Sequence, residues 1–339
     1  MNQPNRTSIP PLNPATRSVI LAAVFTALLL TQLAVNAQSN TATETIEATD
    51  APPAMTLTQS AVLGVVEGVT EYLPVSSTGH LIVTQRLMGI GNDGSEEEKQ
   101  AADAFAICIQ AGAIVAVLGI YYRRVIQMIN GVLGKDADGL RMAINILAGF
   151  IPAAIIGLTI NDLIKEYLFG GDKWGLWPTV AAWLFGGSAI LAVAFRRRKQ
   201  DHDKNSGIEL TQLTWKGALI IGFAQCIAMW PGVSRSLVTI VGGVLVGMRL
   251  SAAVEFSFLL GVVTLSAATA YDGLKHGEIM LATYGPATLA IGFITAAISA
   301  AAAVKWMVNY LNKHGLSIFG YYRIAIAIIV AALIVMKWV

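Results

Sequence analysis

Two glutamates stand four residues apart within an otherwise apolar stretch. Glu67 and Glu71 share one face if this stretch is helical. A carboxylate at membrane depth costs about 2.5 to 3.5 kcal/mol on insertion scales, so such acids usually line a cavity and serve a function. The pair suits either a divalent cation bound through oxygen ligands or a shared proton, with one acid as general base. The structural alternative is that both acids face water near the membrane surface.

A proline, three hydroxyl side chains and a histidine follow. Pro74 predicts a helix break, and the helix that begins after it offers free backbone N–H groups to an anion. Ser77 and His80 are three residues apart, so in a helix the imidazole can act on the hydroxyl or on a leaving group. Ser76 and Thr78 are candidate substrate contacts, although Ser76 also suits a helix N-cap.

A second apolar stretch repeats this pattern 158 residues later. The matching pairs are Gly64 and Gly222, Glu67 and Gln225, Tyr72 and Trp230, Val75 and Val233, Ser76 and Ser234, and Thr78 and Ser236. Three predicted membrane spans separate the two copies, and an odd number of crossings inverts the second copy. We therefore expect an inverted-topology repeat whose two breaks meet near the midplane. Chance similarity between two glycine-rich apolar segments is the alternative.

The second copy has Arg235 at the position of Ser77. Arginine presents a planar fork of donors that matches phosphate oxygens. If the breaks meet, Arg235 faces Glu67, Glu71 and Ser77 as a phosphate clamp. Other candidate substrate contacts in this copy are Ser234, Ser236, Thr239 and Gln225. A purely structural ion pair between Arg235 and one of the glutamates is the alternative.

The composition indicates that these segments lie in a membrane. The 339 residues are 55% hydrophobic and 13% charged, whereas soluble domains carry roughly 25% charged residues. A formal net charge of +2, with basic residues spread between apolar segments, argues against a nucleic-acid partner. Cys108 and Cys226 lie in apolar stretches without metal-ligand spacing and are interpreted as core thiols.

Apolar runs of sufficient length predict six transmembrane helices. They are Asp103–Tyr121, Arg141–Ile160, Leu176–Phe195, Ser251–Ala270, Pro286–Val304 and Phe319–Trp338. Two further stretches, Leu57–Met88 and Trp215–Met248, are interrupted near their middles and predict a helix, a break and a second short helix. The predicted fold class is an all-α polytopic membrane protein with six clear transmembrane helices and two broken re-entrant helical segments in an inverted-topology repeat.

The distribution of basic residues predicts the orientation. Lys and Arg cluster after the first, third and fifth predicted spans, at Arg123, Arg124 and Lys135, at Arg196, Arg197, Arg198, Lys199 and Lys204, and at Lys305 and Lys313. These loops are predicted to be cytoplasmic. The acidic loop around Glu96, Glu97 and Glu98 then faces the other side, which requires Leu57–Met88 to enter and leave on one face.

The N-terminus differs in composition from the rest of the chain. Residues 1–37 combine basic residues, an apolar core and a small-residue site, as in a signal peptide or an uncleaved anchor helix. Residues 38–56, without Lys or Arg, predict a disordered extracytoplasmic linker. The membrane domain is then 57–339, with repeat one at about 57–160 and repeat two at about 215–339.

Two motifs carry a family resemblance. The sequence EGVTEYLPVSSTGH from Glu67 to His80, together with PGVSRS from Pro231 to Ser236, resembles the undecaprenyl-diphosphatase family, also called bacitracin-resistance proteins. The resemblance covers roughly Leu57 to the C-terminus. It implies a bacterial cell-membrane phosphatase that converts undecaprenyl diphosphate to undecaprenyl phosphate and phosphate, returning the lipid carrier to peptidoglycan synthesis. It also implies an inverted repeat with a site open to the extracytoplasmic side.

The same resemblance implies residue roles. Glu67 and Glu71 match the family's acidic pair, with a divalent cation, Mg or Ca, as cofactor. Ser77 matches the proposed nucleophile, His80 the catalytic histidine and Arg235 the phosphate-binding arginine. One departure is Leu237, where the family commonly has a glycine that permits closer backbone approach.

A transporter or flippase for a polyprenyl phosphate lipid is the competing function. Inverted repeats, broken segments and a charged midplane site are also features of secondary transporters. A transporter does not need a serine beside a histidine, so Ser77 and His80 favour catalysis. The expected partners are the lipid substrate and the membrane; a homodimer is the one protein assembly kept as an expectation.

Overall fold

The computed structural model describes residues 55–90, 96–164, 175–199 and 207–339. The predicted signal segment and nearly all of the predicted linker lie outside these residues. The helices are α1 Leu57–Thr70, α2 Ser77–Leu87, α3 Glu96–Ile120, α4 Tyr122–Val132, α5 Ala137–Ile164, α6 Trp177–Lys199, α7 Trp215–Cys226, α8 Arg235–Leu245, α9 Leu250–His314 and α10 Ser317–Val335. Non-helical Gly285, with φ 71° and ψ 162°, divides α9 into a first and a second limb.

Six helical segments in the described residues are long and apolar enough to cross a membrane. They are Gln100–Ile120, Ala137–Thr159, Trp177–Arg196, Leu250–Lys275, Thr283–His314 and Ser317–Val335. The six predicted spans are thereby confirmed, and the protein is an all-α, multi-pass membrane protein. The predicted loop containing Arg123 and Arg124 is instead helix α4, which is amphipathic and too short to span. Val125 and Met128 on one side of α4 pack against the core.

Both interrupted segments return to the end from which they start. The side chain of Gln59, in the first turn of α1, donates to the carbonyl of Met88 just after α2, at 3.4 Å. In the second segment, the amide of Ile208, shortly before α7, donates to the carbonyl of Gly247 just after α8, at 2.9 Å. These contacts close each helix–break–helix segment into a re-entrant hairpin.

Glycines set the packing of the two equivalent helices α1 and α7. Gly64 lies so close to the second limb of α9 that a Cβ there would clash with the carbonyl of Gly292. Gly222 packs in the same way on α5, where a Cβ would clash with the carbonyl of Gly149. Because Gly64 and Gly222 are equivalent in the repeat, the correspondence extends from sequence to packing.

The two copies run in opposite directions. Helices α1 and α3 run parallel to the second limb of α9. Helices α5 and α7 run parallel to the first limb of α9, and this first limb is antiparallel to α3. The neighbouring pairs that set these directions are Gly64–Gly292 and Gly68–Ala296 for α1, Phe105–Tyr284 and Gly112–Ala296 for α3, Asn145–Leu213 and Gly149–Gly222 for α7 on α5, Ile208–Arg249 and Gln225–Thr264 for α7 on the first limb, and Tyr121–Phe258 and Gln110–Thr269 for the antiparallel pair. The repeat is therefore inverted, as predicted.

Candidate active site

The two breaks meet inside the helical bundle. The first break lies between the end of α1 at Thr70 and the start of α2 at Ser77. The second contains a single 3₁₀ turn, Ile227–Met229, and ends where α8 begins at Arg235. They are joined where the Ser236 hydroxyl donates to the carbonyl of Leu73 at 2.8 Å. The catalytic candidates of both copies thus come together at one place, as the inverted repeat predicts.

Glu71 connects the two copies. One of its carboxylate oxygens, Oε1, accepts a hydrogen bond from Nη2 of Arg235 at 3.0 Å. The other, Oε2, accepts a short hydrogen bond from the hydroxyl of Ser77. All three side chains are largely buried, with Glu71 only 7% exposed. Glu71 therefore holds the serine hydroxyl and the guanidinium on its two oxygens.

The Arg235 side chain is held from several directions. Its guanidinium carbon lies 5.3 Å from the centre of the Tyr72 ring, and Nη1 donates to the carbonyl of Ser257 at 3.1 Å. Gly261 leaves the space, because a Cβ at that position would clash with the guanidinium. Arg235 Nε has no hydrogen-bond acceptor among the described residues. The ion pair with Glu71 thus leaves the Nε donor free.

Glu67 lies behind Glu71 and is almost fully buried, at 1% exposure. It is close enough to Glu71 and Arg235 for their charges to interact. Apart from a hydrogen bond that it can share with the Glu71 carboxyl when one of the two acids carries a proton, neither of its oxygens has a hydrogen-bond partner among the described residues. A buried carboxylate without a partner is costly, which indicates that a proton or a cation belongs beside it.

His80 does not contact Ser77 through its ring nitrogens. Nδ1 lies 2.6 Å from the carbonyl oxygen of Ser76, and Nε2 lies 2.7 Å from the hydroxyl of Tyr322. A carbonyl only accepts, so Nδ1 carries a proton and donates. The sequence predicted that the His80 imidazole would act on the Ser77 hydroxyl. In the structure, Glu71 accepts the hydrogen bond of that hydroxyl, and the imidazole bonds to the carbonyl of the preceding residue, Ser76.

Ser76 adopts a backbone conformation that is unfavourable for a residue with a Cβ. Its φ is 76° and its ψ is 101°, and its side chain makes no cap hydrogen bond to α2. Such a conformation costs on the order of 1 to 3 kcal/mol and persists where the surroundings enforce it. The hydrogen bond from His80 to the Ser76 carbonyl is one of these constraints.

A cavity of about 190 Å³ opens beside these residues. Its polar lining comes from both copies and from the helices around them: Glu71, Ser76, Ser77, Thr78, Gln110, Gln225, Ser234, Arg235 and Thr264. Its apolar lining comprises Ala153, Ala228, Met229, Val233 and Leu265. A cavity with a charged wall and an apolar wall suits an amphiphile that has an anionic head and a hydrocarbon chain.

Two predicted substrate contacts do not line this cavity. Ser236 is fully buried with its hydroxyl on Leu73, and Thr239 is fully buried with its hydroxyl 2.6 Å from that of Ser257. Ser236 faces the first break and Thr239 faces the first limb of α9, because α8 is enclosed on these sides. Ser236 and Thr239 therefore contribute to the packing around the site and not to the lining of the cavity.

Leu237 fits the second break without distortion. It lies in the first turn of α8 and is buried at 4% exposure. Its amide is capped by the Ser234 hydroxyl at 3.3 Å. The position does not require the positive φ that only glycine adopts easily, so the departure from the family pattern leaves the loop intact.

The sequence did not single out several residues that support the site. Tyr72, Ser257 and Gly261 surround Arg235, while Tyr322 and Arg323 reach the breaks from α10. A charged Arg323 inside the last predicted span was a visible signal, because intramembrane arginines are rare and usually functional. The other four look like ordinary core residues in sequence.

The donor set partly fits a divalent cation. Among the described residues, no group of three His, Cys, Asp or Glu side chains is placed to share a metal ion. The Glu67 carboxylate beside Glu71 nevertheless offers oxygen ligands. Mg²⁺ commonly uses only one or two protein carboxylates and takes its remaining ligands from water and substrate phosphates. The pair is therefore compatible with such an ion.

A multi-pass membrane protein with paired re-entrant hairpins and an acid, serine and arginine site is thus defined by fold and geometry. The family model described as "Bacitracin resistance protein BacA" matches residues 60–329, and the chain belongs to this family.

Three similar proteins are named as undecaprenyl-diphosphatases. The chain is 41% identical over 276 residues to "Undecaprenyl-diphosphatase 2" of Rhodospirillum rubrum, covering 81% of this chain and 94% of that protein. It is 40% identical over 272 residues to "Undecaprenyl-diphosphatase" of Sorangium cellulosum, covering 80% of this chain and 84% of that protein. It is also 40% identical to "Undecaprenyl-diphosphatase 3" of Acinetobacter baylyi, covering 79% and 94%.

Proposed function

We propose that the protein is an undecaprenyl-diphosphatase, which hydrolyses undecaprenyl diphosphate to undecaprenyl phosphate and inorganic phosphate. The observation that carries this proposal is the Ser77 hydroxyl bonded to Glu71, which also binds Arg235, in a cavity with polar and apolar walls. The names of relatives that this chain matches over most of their length support the same activity. In the cell, this reaction would recycle the lipid carrier for peptidoglycan synthesis and confer bacitracin resistance.

In the proposed reaction, Ser77 is the nucleophile. Its oxygen forms a bond to the terminal phosphorus, the phosphoanhydride bond breaks, and undecaprenyl phosphate leaves. The serine proton passes to Glu71 Oε2, which already accepts its hydrogen bond. The leaving undecaprenyl phosphate takes that proton from Glu71, which frees the carboxylate to accept a proton from the water that then attacks the phosphoserine. The bond from phosphorus to the serine oxygen breaks, phosphate is released, and Glu71 returns the proton to the Ser77 oxygen. Direct attack by water, with Ser77 binding a phosphate oxygen, is the competing route.

Arg235 would bind the terminal phosphate. Its guanidinium supplies a free Nε donor and the Nη2 donor now on Glu71. Donors that are already oriented in a water-poor site stabilise developing charge strongly. The structural ion pair considered as an alternative role is present, but it also places the guanidinium at the wall of the cavity.

Glu67 and Glu71 would hold the divalent cation, Mg²⁺ or Ca²⁺. A bound cation offsets the negative charge of the diphosphate. Glu67 is the more available of the two, because Glu71 is its one described partner, whereas Glu71 also binds Ser77 and Arg235.

His80 would act on the loop that presents Ser77. Its bond to the Ser76 carbonyl restrains the residue that precedes the nucleophile. Its other nitrogen bonds to Tyr322, so a proton role at the leaving group would require that bond to open.

The test is phosphate release from undecaprenyl diphosphate by purified protein in detergent, where no gradient exists to drive transport. We expect release that EDTA abolishes and that Mg²⁺ or Ca²⁺ restores. Folded wild-type protein that binds the lipid but releases no phosphate would refute the enzyme and leave the lipid transporter. A radiolabelled terminal phosphate that remains on wild type but not on Ser77→Ala after acid quenching would identify the phosphoserine route.

We further propose that the protein lies in the bacterial inner membrane with its cavity open to the extracytoplasmic side. The basic residues that follow α3 and those near the ends of α6 and the second limb of α9 support this orientation, because cytoplasmic ends carry excess Lys and Arg. Sealed inside-out vesicles should then release phosphate into their lumen. Release into the medium would reverse the orientation. A homodimer stays a prediction that light scattering of the purified protein can test.

A further inference from the structure

Arg323, in α10, is a buried cation that lies outside the cavity. It is 0% exposed, and no described carboxylate lies within ion-pair distance of it. Its guanidinium instead donates to backbone carbonyls: Nη2 to Gly232 at 2.9 Å and to Ala182 at 2.8 Å, and Nη1 to Pro74 at 3.4 Å. An uncompensated charge at membrane depth is costly, so its position calls for a reason beyond packing.

Two of these carbonyls occupy equivalent positions in the inverted repeat. Pro74 and Gly232 are 158 residues apart, the same spacing that aligns the two copies. Each lies in a break, where carbonyls lose their helical partners and must be satisfied by other groups. One guanidinium therefore binds the same point of both breaks.

The surroundings are shaped for this contact. A Cβ on Gly186 would lie 2.6 Å from Arg323 Nη2, so only glycine leaves room for the guanidinium. Gly232 has φ 87°, and a Cβ there would lie 2.8 Å from the Thr179 Cα. These two glycines let α6 and the second break approach the arginine closely.

The bridged carbonyls precede the reacting groups by the same interval. Ser77 follows Pro74 by three residues, and Arg235 follows Gly232 by three residues. We propose that Arg323 is a positioning residue that fixes the nucleophile on the first break relative to the phosphate clamp on the second by binding both breaks at once. This inference rests on the proposed phosphatase function.

The Arg323→Lys variant separates the effect of the charge from that of the guanidinium geometry. Lysine keeps the positive charge but lacks the planar fork that binds three carbonyls. We expect kcat to fall about 10- to 100-fold with KM changed less than about threefold, since small misplacements of reacting groups cost rate rather than binding. Lysine activity equal to wild type, in folded protein, would overturn the proposal. Gly119→Ala is the matched control, because a Cβ there meets nothing and activity should stay unchanged.

A double-mutant cycle distinguishes positioning from general stability. If Arg323 acts by aligning Arg235 with Ser77, then Arg323→Lys should cost much less in an Arg235→Lys background than in wild type. Independent, multiplicative losses would indicate a merely structural role. If Arg323 variants do not fold, Gly186→Ala replaces them, because it crowds the guanidinium while keeping its charge. Unchanged kcat in folded Gly186→Ala would then contradict the proposal.

A distance measurement tests the inference without relying on activity. In a background lacking Cys108 and Cys226, spin labels at Thr78 and Ile227 flank the two breaks, and both side chains are exposed. We expect a narrow distance distribution with Arg323 and a broad or shifted one with Arg323→Lys. An unchanged distribution would refute the bridging role. An inactive wild type with the expected distances would instead refute only the phosphatase.

Discussion

The first and second breaks occupy equivalent places in the repeat but differ in backbone conformation. In the first, the positive φ falls on Ser76, directly before Ser77, and the Ser76 side chain makes no cap hydrogen bond. In the second, the positive φ falls on Gly232, and Ser234 is an ordinary cap with φ −70° and a bond to the Leu237 amide. Strain is thus kept beside Ser77, the proposed nucleophile, while Arg235, the proposed phosphate clamp, extends from a relaxed helix start.

The difference suggests a division of labour. The first break presents an acid and a hydroxyl from a strained turn, which fixes the direction of Ser77. The second presents Arg235 at the N-terminus of α8, where the helix dipole also favours anions. The two similar hairpins thus carry different functional groups at equivalent positions, Ser77 in the first and Arg235 in the second.

The largest expected effect comes from removing the nucleophile. Ser77→Ala should lower kcat on the order of 10⁴-fold or more, as the loss of a nucleophile does in hydrolases that use one. Initial rates of phosphate release will measure this loss. Retention of full activity would rule out the serine route and favour direct attack by water.

Gly232→Ala probes the relaxed break. Both its positive φ and the clash with Thr179 oppose a Cβ, so we expect a loss of roughly 2 to 4 kcal/mol in the free energy of unfolding. The midpoint of denaturant unfolding in detergent measures it. Ser76→Gly is the counterpart in the strained break and should stabilise the fold by up to about 1 kcal/mol while lowering kcat. Loss of stability in Ser76→Gly would contradict the assignment of strain.

The hydrogen bond between the breaks gives an intermediate effect. Ser236→Ala removes the donor to the Leu73 carbonyl and leaves that buried acceptor with only the longer bond from Ser234. We expect a loss of about 1 to 3 kcal/mol in unfolding free energy, together with a lower kcat. If Ser236→Ala weakens substrate binding more than it lowers kcat, then Ser236 contacts the lipid phosphate and its purely structural role is wrong.

Tyr322→Phe gives the smallest change. It removes the partner of His80 Nε2 and keeps the ring beside the imidazole. The loss of one neutral hydrogen bond is worth about 0.5 to 1.5 kcal/mol, so kcat should fall about tenfold at most. A loss as large as that of His80→Ala would show that the imidazole works only through Tyr322.

Much of the fold could be predicted from sequence. Long apolar runs, the helix breaks around Pro74 and Pro231, and the constant spacing of the repeat led to the six spans, the re-entrant hairpins and the inversion. Glu71, Ser77 and Arg235 could be identified because polar groups inside apolar segments are costly and therefore informative. Helix α4 was missed because Arg123 and Arg124 indicated a loop, although apolar residues recur along this segment with the period of a helix.

The contacts of individual side chains could not be predicted. Sequence spacing put His80 within reach of Ser77, but the imidazole bonds instead to the Ser76 carbonyl and to the Tyr322 hydroxyl. The roles of Ser236 and Thr239 depended on which sides of α8 are enclosed, which periodicity alone does not give. The bridge made by Arg323 required knowing which carbonyls the breaks release.

The central claim, that the two breaks form one phosphatase site, is tested most directly by phosphate release from wild type, Glu71→Ala and Arg235→Ala in detergent with divalent cation. Glu209→Ala is the matched control, because Glu209 also pairs with an arginine, Arg249, but does not line the cavity. We expect both site variants to lose at least about 100-fold in kcat/KM, in line with the loss of a charge-stabilising group, while the control keeps its rate. Full activity in either site variant, in folded protein, would contradict a site shared between the breaks.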